Sequence, residues 1–190
     1  MPWSPSPGKI DKSTQAISTI EYEHHEIHDG KSFYVGKSSA DLDDEGDNDA
    51  IHISFVTPDS VKEPHMIIMY GSSGKATFVM REAPDGGVTG GTAMAVYNKN
   101  RNSVNTSILV GTHSGATAGC VTVDASIGTN GTVLMEDDLG SGKNKQPGQS
   151  RGQLEWILKR NTEYSMRVLS STADIMANLI LEWYEHSPKP

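Results

Sequence analysis

Four neighbouring residues, His24, His25, Glu26 and His28, offer nitrogen and oxygen donors of the kind that hold a divalent metal. If the segment is a strand, period-two alternation puts His24, Glu26 and His28 on one face. Side chains two apart on a strand stand about 7 Å from each other, so a metal would need further ligands from other strands or from symmetry-related copies. A solvated polar face is the preferred reading.

The acidic run Asp41-Leu42-Asp43-Asp44-Glu45-Gly46-Asp47-Asn48-Asp49 opens like an EF-hand loop, with carboxylates at the first, third and fifth positions and glycine at the sixth. Its twelfth position is His52, where that motif needs a bidentate Glu, and no helices are expected beside it. A self-repelling solvated loop is the better reading.

Nucleophilic chemistry finds little support. His113-Ser114-Gly115 belongs to no GxSxG elbow, and spacing assigns it no base and carboxylate. Gly71-Ser72-Ser73-Gly74-Lys75 and Gly140-Ser141-Gly142-Lys143 lack the full GxxxxGK[ST] phosphate loop and read as turns. Asn105-Thr106-Ser107 is formally a glycosylation acceptor, but no signal peptide is read to give it meaning. Cys120 is the single cysteine, so it forms no internal disulfide and no CxxC site; within Gly119-Cys120-Val121-Thr122-Val123 it reads as a small core residue. No catalytic residue, cofactor or metal ligand is assigned.

The whole chain bounds the partners further. At 190 residues with 35% hydrophobic and 21% charged residues, it suits one β-sandwich or barrel with modest core material. A net charge of -8 argues against sequence-independent nucleic-acid binding, which depends on Lys and Arg neutralising phosphates. No apolar run approaches the roughly 20 residues of a membrane-spanning helix, so synthesis in a cytoplasm without a membrane partner is expected.

Two units are expected along the chain. Residues 1–16 form an extended Pro/Ser-rich arm in which Pro2, Pro5 and Pro7 resist helix, and Trp3 could latch onto a neighbouring subunit. Residues 17–190 form a β-sandwich domain of many short antiparallel strands. Residues 19–28 are read as a strand turning at Asp29-Gly30 into Lys31 to Val35. Ile51, Ile53 and Phe55 should face a core, with His52 and Ser54 opposite.

His65 to Tyr70 and Ala76 to Arg81 are read as a hairpin around Gly71-Ser72-Ser73-Gly74. Ala93 to Tyr97 follows as a strand, then a polar loop over Asn98 to Asn102 and a Ser/Thr-rich strand through Ile108 and Val110. Asn130-Gly131 is read as a tight turn. The Gly-rich loop 139–152 is expected to be mobile in isolation and ordered by a partner, which makes Lys143, Lys145 and Arg151, together with Pro2, Trp3, Pro5 and Pro7 of the arm, the candidate interaction residues. Leu154, Trp156 and Leu158 alternate in one strand and Tyr164, Met166 and Val168 in the next, with a turn at Arg160-Asn161. Trp156 and Trp183 read as core. Residues 174–186 fit both a helical stripe and strict alternation of Ile175, Ala177, Leu179, Leu181 and Trp183; strand is preferred, closing a sheet edge.

Three stretches carry a resemblance: Tyr22-Glu23-His24-His25-Glu26-Ile27-His28-Asp29-Gly30; Gly90 to Ser103 (GGTAMAVYNKNRNS) with Asn105-Thr106-Ser107; and Ser150 to Lys159 (SRGQLEWILK) with Leu181-Glu182-Trp183-Tyr184-Glu185-His186. Together they resemble small virion structural proteins of tailed bacteriophages and prophages, of capsid decoration or cement type. The resemblance implies an all-β sandwich of jelly-roll type on the outer capsid surface, with the major capsid protein and further copies of itself, as trimer or dimer, for partners. It carries over no catalytic residues. A tail, baseplate or receptor-binding component of the virion is the alternative expectation.

Overall fold

The computed structural model describes residues 22–42, 50–84, 91–110, 122–123, 131–140 and 155–187. Two antiparallel sheets pack face to face around one core, as an all-β sandwich requires. After helix α1 (Tyr22–His28), the first sheet runs in the order β6 (Tyr97–Asn98), β1 (Ser32–Leu42), β11 (Ile175–His186), β3 (Glu63–Ser72), β9 (Glu155–Ile157). The second runs β5 (Thr92–Ala93), β7 (Thr122–Val123), β2 (Ala50–Val56), β10 (Glu163–Ser170), β4 (Ala76–Glu82), β8 (Thr132–Leu139).

Alternation explains the strands and the core together. Ile51, Ile53 and Phe55 of β2 face Tyr164, Met166 and Val168 of β10 in register, and all six are buried. On β11, Ile175, Ala177, Leu179, Leu181 and Trp183 are buried while Met176 and Asn178 are exposed, so period two prevails over the helical stripe. Each large side chain placed here, such as Phe55, Phe78 or Trp183, stabilises the fold by roughly 1.5–3 kcal/mol through burial. β11 is not an edge strand: it pairs with β1 on one side and β3 on the other, which explains why it is the longest strand and carries the largest buried aromatic.

Several local expectations are corrected. Residues 22–28 are helical, so Asp29-Gly30 ends a helix and does not join two strands. Asp29 N and Gly30 N close the last turn on the carbonyls of His25 and Ile27, and Gly30 takes the left-handed φ of 67° that a helix C-terminus favours. β3 and β4 are strands as read, but they do not form a hairpin. β3 pairs with β11 and β9, β4 with β10 and β8, so Gly71 to Lys75 carries the chain from one sheet to the other.

Ala93 to Tyr97 is broken, with Thr92–Ala93 in the second sheet and Tyr97–Asn98 in the first. Residues 103–110 form no strand. The N–H groups of Asn100, Asn102 and Asn105 bond to the side chains of Asn98, Asn100 and Ser103, local turns that compete with a sheet ladder. Arg160 and Asn161 do form the expected turn, between β9 and β10 of opposite sheets.

Candidate functional site

The Asn-rich loop clamps the C-terminal end of α1. Asn100 Nδ2 donates to the His28 carbonyl at 3.0 Å, Asn98 Nδ2 to Gly30 O at 2.8 Å, and Asn105 Nδ2 to both Asp29 O and Gly30 O at 3.3 Å. Side-chain amides thereby satisfy carbonyls that the helix leaves open. β11 delivers Glu185 beneath the same loop.

Glu185 is buried and acts as a multiple acceptor. Ser107 Oγ donates to its Oε1 at 2.5 Å, Trp183 Nε1 at 3.0 Å, and the Ile108 N–H reaches both oxygens at 3.0 and 3.1 Å. Burial pushes its carboxyl above the ordinary range, while the donors and the charge of Lys62 oppose the shift. So engaged, it ties the loop to β11. Two open cavities of about 330 and 410 Å³ adjoin here and share Lys31, Lys62 and Glu185 in their walls. Glu26, buried on the inner side of α1, lines the second, with Lys31 Nζ 3.8 Å from its Oε2.

A second polar group lies across β3, β9 and β11. His65 Nδ1 is 2.7 Å from Glu155 Oε1, the Tyr184 hydroxyl donates to the same oxygen at 2.5 Å, and the His65 ring packs against Tyr184 and His186 with centroids 4.8 and 4.3 Å away. Partial burial would raise Glu155, but the bonds from Tyr184 and His65 outweigh it and hold the carboxyl below its usual range. His186 is lowered by burial and by His65. This is an imidazole oriented by a carboxylate; among the described residues no hydroxyl or thiol nucleophile bonds to it.

The largest contrast is between the two outward faces. On the first sheet, Tyr34, Ile67, Met69 and Ile180 point outward and are half-buried, flanked by Met176 at 59% and Ile157 at 61% exposed. Ile180 stands in register between Met69 and Gly36. The Tyr34 ring lies across Gly36, where a Cβ would come within 2.6 Å of the tyrosine oxygen. Polar groups interrupt this apolar strip: Glu182, paired with Lys99 at 2.9 Å, and Glu155, 2.7 Å from His65, stand on either side of Ile67 in register. The outward face of the second sheet is more polar: His52, Ser54, Ser165, Arg81 and Arg167 stand in adjacent register, with Val79 opposite Arg167. Its Arg81 and Arg167 Nε atoms are buried without a hydrogen bond, and burial with the Arg167 charge pushes His52 down to about 4.

The residues singled out in the sequence fare unevenly. Helix α1 brings His24 and His28 together, with Nε2 atoms 3.0 Å apart, and turns Glu26 to the buried side, which corrects the shared strand face. Pro2, Trp3, Pro5, Pro7, Cys120, His113-Ser114, Lys143, Lys145 and Arg151 lie outside the described residues, as do 43–49 of the acidic run and the boundary at residue 16. Glu185 was missed, although alternation from Trp183 places it in core phase, a signal that a charged residue there is paired. Comparison with protein-family models, curated proteins and solved structures finds no match.

Proposed function

We propose that this chain is a structural protein of a tailed-bacteriophage virion that decorates or cements the outer capsid lattice, not an enzyme. The observation that carries the reading is the apolar outward face of the first sheet. The inner faces of the sandwich already supply the core, so Tyr34, Ile67, Met69, Ile180, Met176 and Ile157 serve no internal packing that requires a second apolar face. Burial against another protein accounts for them.

Two further features support it. Strands alternate between sheets in the orders β1-β11-β3-β9 and β2-β10-β4-β8, which we read as a jelly roll, the fold that the sequence resemblance implies. The net charge of -8 suits a surface turned to solvent, away from packaged DNA. The major capsid protein is the expected partner, with copies of this chain joined as a trimer or dimer at lattice symmetry positions, without nucleic acid or membrane.

Copy number tests the assignment. Densitometry of purified particles should find on the order of hundreds of copies, as a repeated lattice demands. Tens or fewer would place the chain in the tail or baseplate, and absence from particles would overturn the virion reading.

A further inference from the structure

We propose that His24 and His28 form a two-nitrogen seat for a late first-row divalent ion of the Ni²⁺ or Cu²⁺ type, with its remaining positions open to water. The two residues stand one turn apart on α1, their rings edge to face with centroids 4.7 Å apart and an interplanar angle of 67°. Their Nε2 atoms are 3.0 Å apart.

That separation selects a geometry. With metal–nitrogen bonds of about 2.0–2.1 Å, donors 3.0 Å apart subtend about 91–97° at the ion. This is the cis angle of a square-planar or octahedral shell, and a tetrahedral ion would require the rings to spread. In the ion-free pair one Nε2–H must donate to the other nitrogen; that ring passes to its Nδ1–H tautomer, its proton moving through water to Nδ1, and the ion then takes the place between two Nε2 lone pairs. Both rings are exposed, so access needs no opening of the fold.

The scaffold is fixed before any ion arrives. Asn100 bonds the His28 carbonyl, Asn105 bonds the Asp29 carbonyl, and Glu26 buries the opposite side of the helix. His25 turns away toward Glu26 and Asp29, 3.7 and 3.9 Å from their carboxylates. No group of three or more metal-ligating side chains forms among the described residues, which leaves a two-point chelate. The seat is a property of α1 alone and stands whether or not the chain binds a capsid.

The test uses the full-length protein, stripped of metal and titrated with Ni²⁺ and Cu²⁺ by calorimetry at neutral pH, with the electron paramagnetic resonance spectrum of the Cu²⁺ form as a second readout. One ion per chain should bind at this site, two nitrogens should couple to the copper, and acidification should weaken binding because protons compete for the ligands. H24A and H28A should each weaken binding about tenfold or more, while H25A leaves it unchanged. Circular dichroism of each variant checks that the fold persists. Wild-type affinity in H24A and H28A, or a copper spectrum without two coupled nitrogens, would overturn the proposal.

Discussion

Ser107 and Glu185 are 78 positions apart in the chain, yet the serine hydroxyl donates to the buried carboxylate at 2.5 Å and ties the Asn-rich loop to the central strand of the first sheet. The same hydroxyl accepts from the Leu109 N–H at 3.0 Å and the Trp183 indole at 3.2 Å. One hydroxyl thus links the loop backbone, the largest core aromatic and an acidic side chain.

Replacing Glu185 with Ala strands the Ser107, Trp183 and Ile108 donors and should lower stability by about 3 kcal/mol in urea unfolding. Replacement with Gln gives a pH signature. A carboxyl raised above its usual 4.5 contributes stability that is complete below that value and lost as pH rises through the folded value. The deficit of E185Q against wild type should therefore be largest near pH 4 and shrink toward neutrality. A deficit that grows with pH would contradict the raised carboxyl.

The clamp on α1 depends on a backbone that only glycine adopts easily. At Gly30, with φ of 67°, a Cβ would meet Ser103 Oγ at 2.2 Å and Ser103 Cβ at 2.6 Å. G30A should lower stability by roughly 1–3 kcal/mol. N105A should cost less overall but speed hydrogen exchange at Gly30 and Lys31, whose N–H groups close on Ile27 and Glu26. Unchanged exchange in N105A would show that the helix end does not need the clamp.

His52 should stay neutral to about pH 4, because burial and Arg167 both oppose its protonation. A depressed imidazole contributes stability that is present above the ordinary 6.5 and lost as pH falls toward the folded value. Wild type should lose stability between pH 6.5 and 4 more steeply than H52Q. An imidazole resonance that titrates near 6.5 would contradict this.

The outward face of the first sheet should tolerate charge in the isolated protein. Ile157 and Met176 are more than half exposed, so I157E and M176E should change stability by no more than about 0.5 kcal/mol. The double variant should fail to bind particles that lack the native protein. Wild-type attachment would move the contact elsewhere.

How much of this was legible in the sequence varies with the kind of contact. Period-two burial in 51–56, 164–168 and 175–183 is local, and it identified these strands and their inward faces. Sheet membership is not local. Gly71 to Lys75 can join neighbours in one sheet or cross between two, and only the pairing of β3 with β11 and of β4 with β10 decides. Helix α1 escaped because Tyr22 to His28 has no apolar stripe; it is held by Glu26 burial and by asparagines more than 70 positions away.

The candidate surface was harder to read. Alternation named the inward residues of β11 but gave no meaning to Tyr34, Met69 or Ile180 on the other face, since strand partners bring these together across register. The Glu185 group depends on Ser107 and Ile108, in a segment read as strand that in fact spends its donors on a carboxylate.

Near-atomic imaging of the intact particle tests the central claim most directly. The account predicts this sandwich in many symmetry-related copies on the outer shell, with Met69, Ile180 and Met176 of the first sheet buried against another protein subunit. Copies whose first-sheet face stands open to solvent, or a shell without this protein, would contradict it.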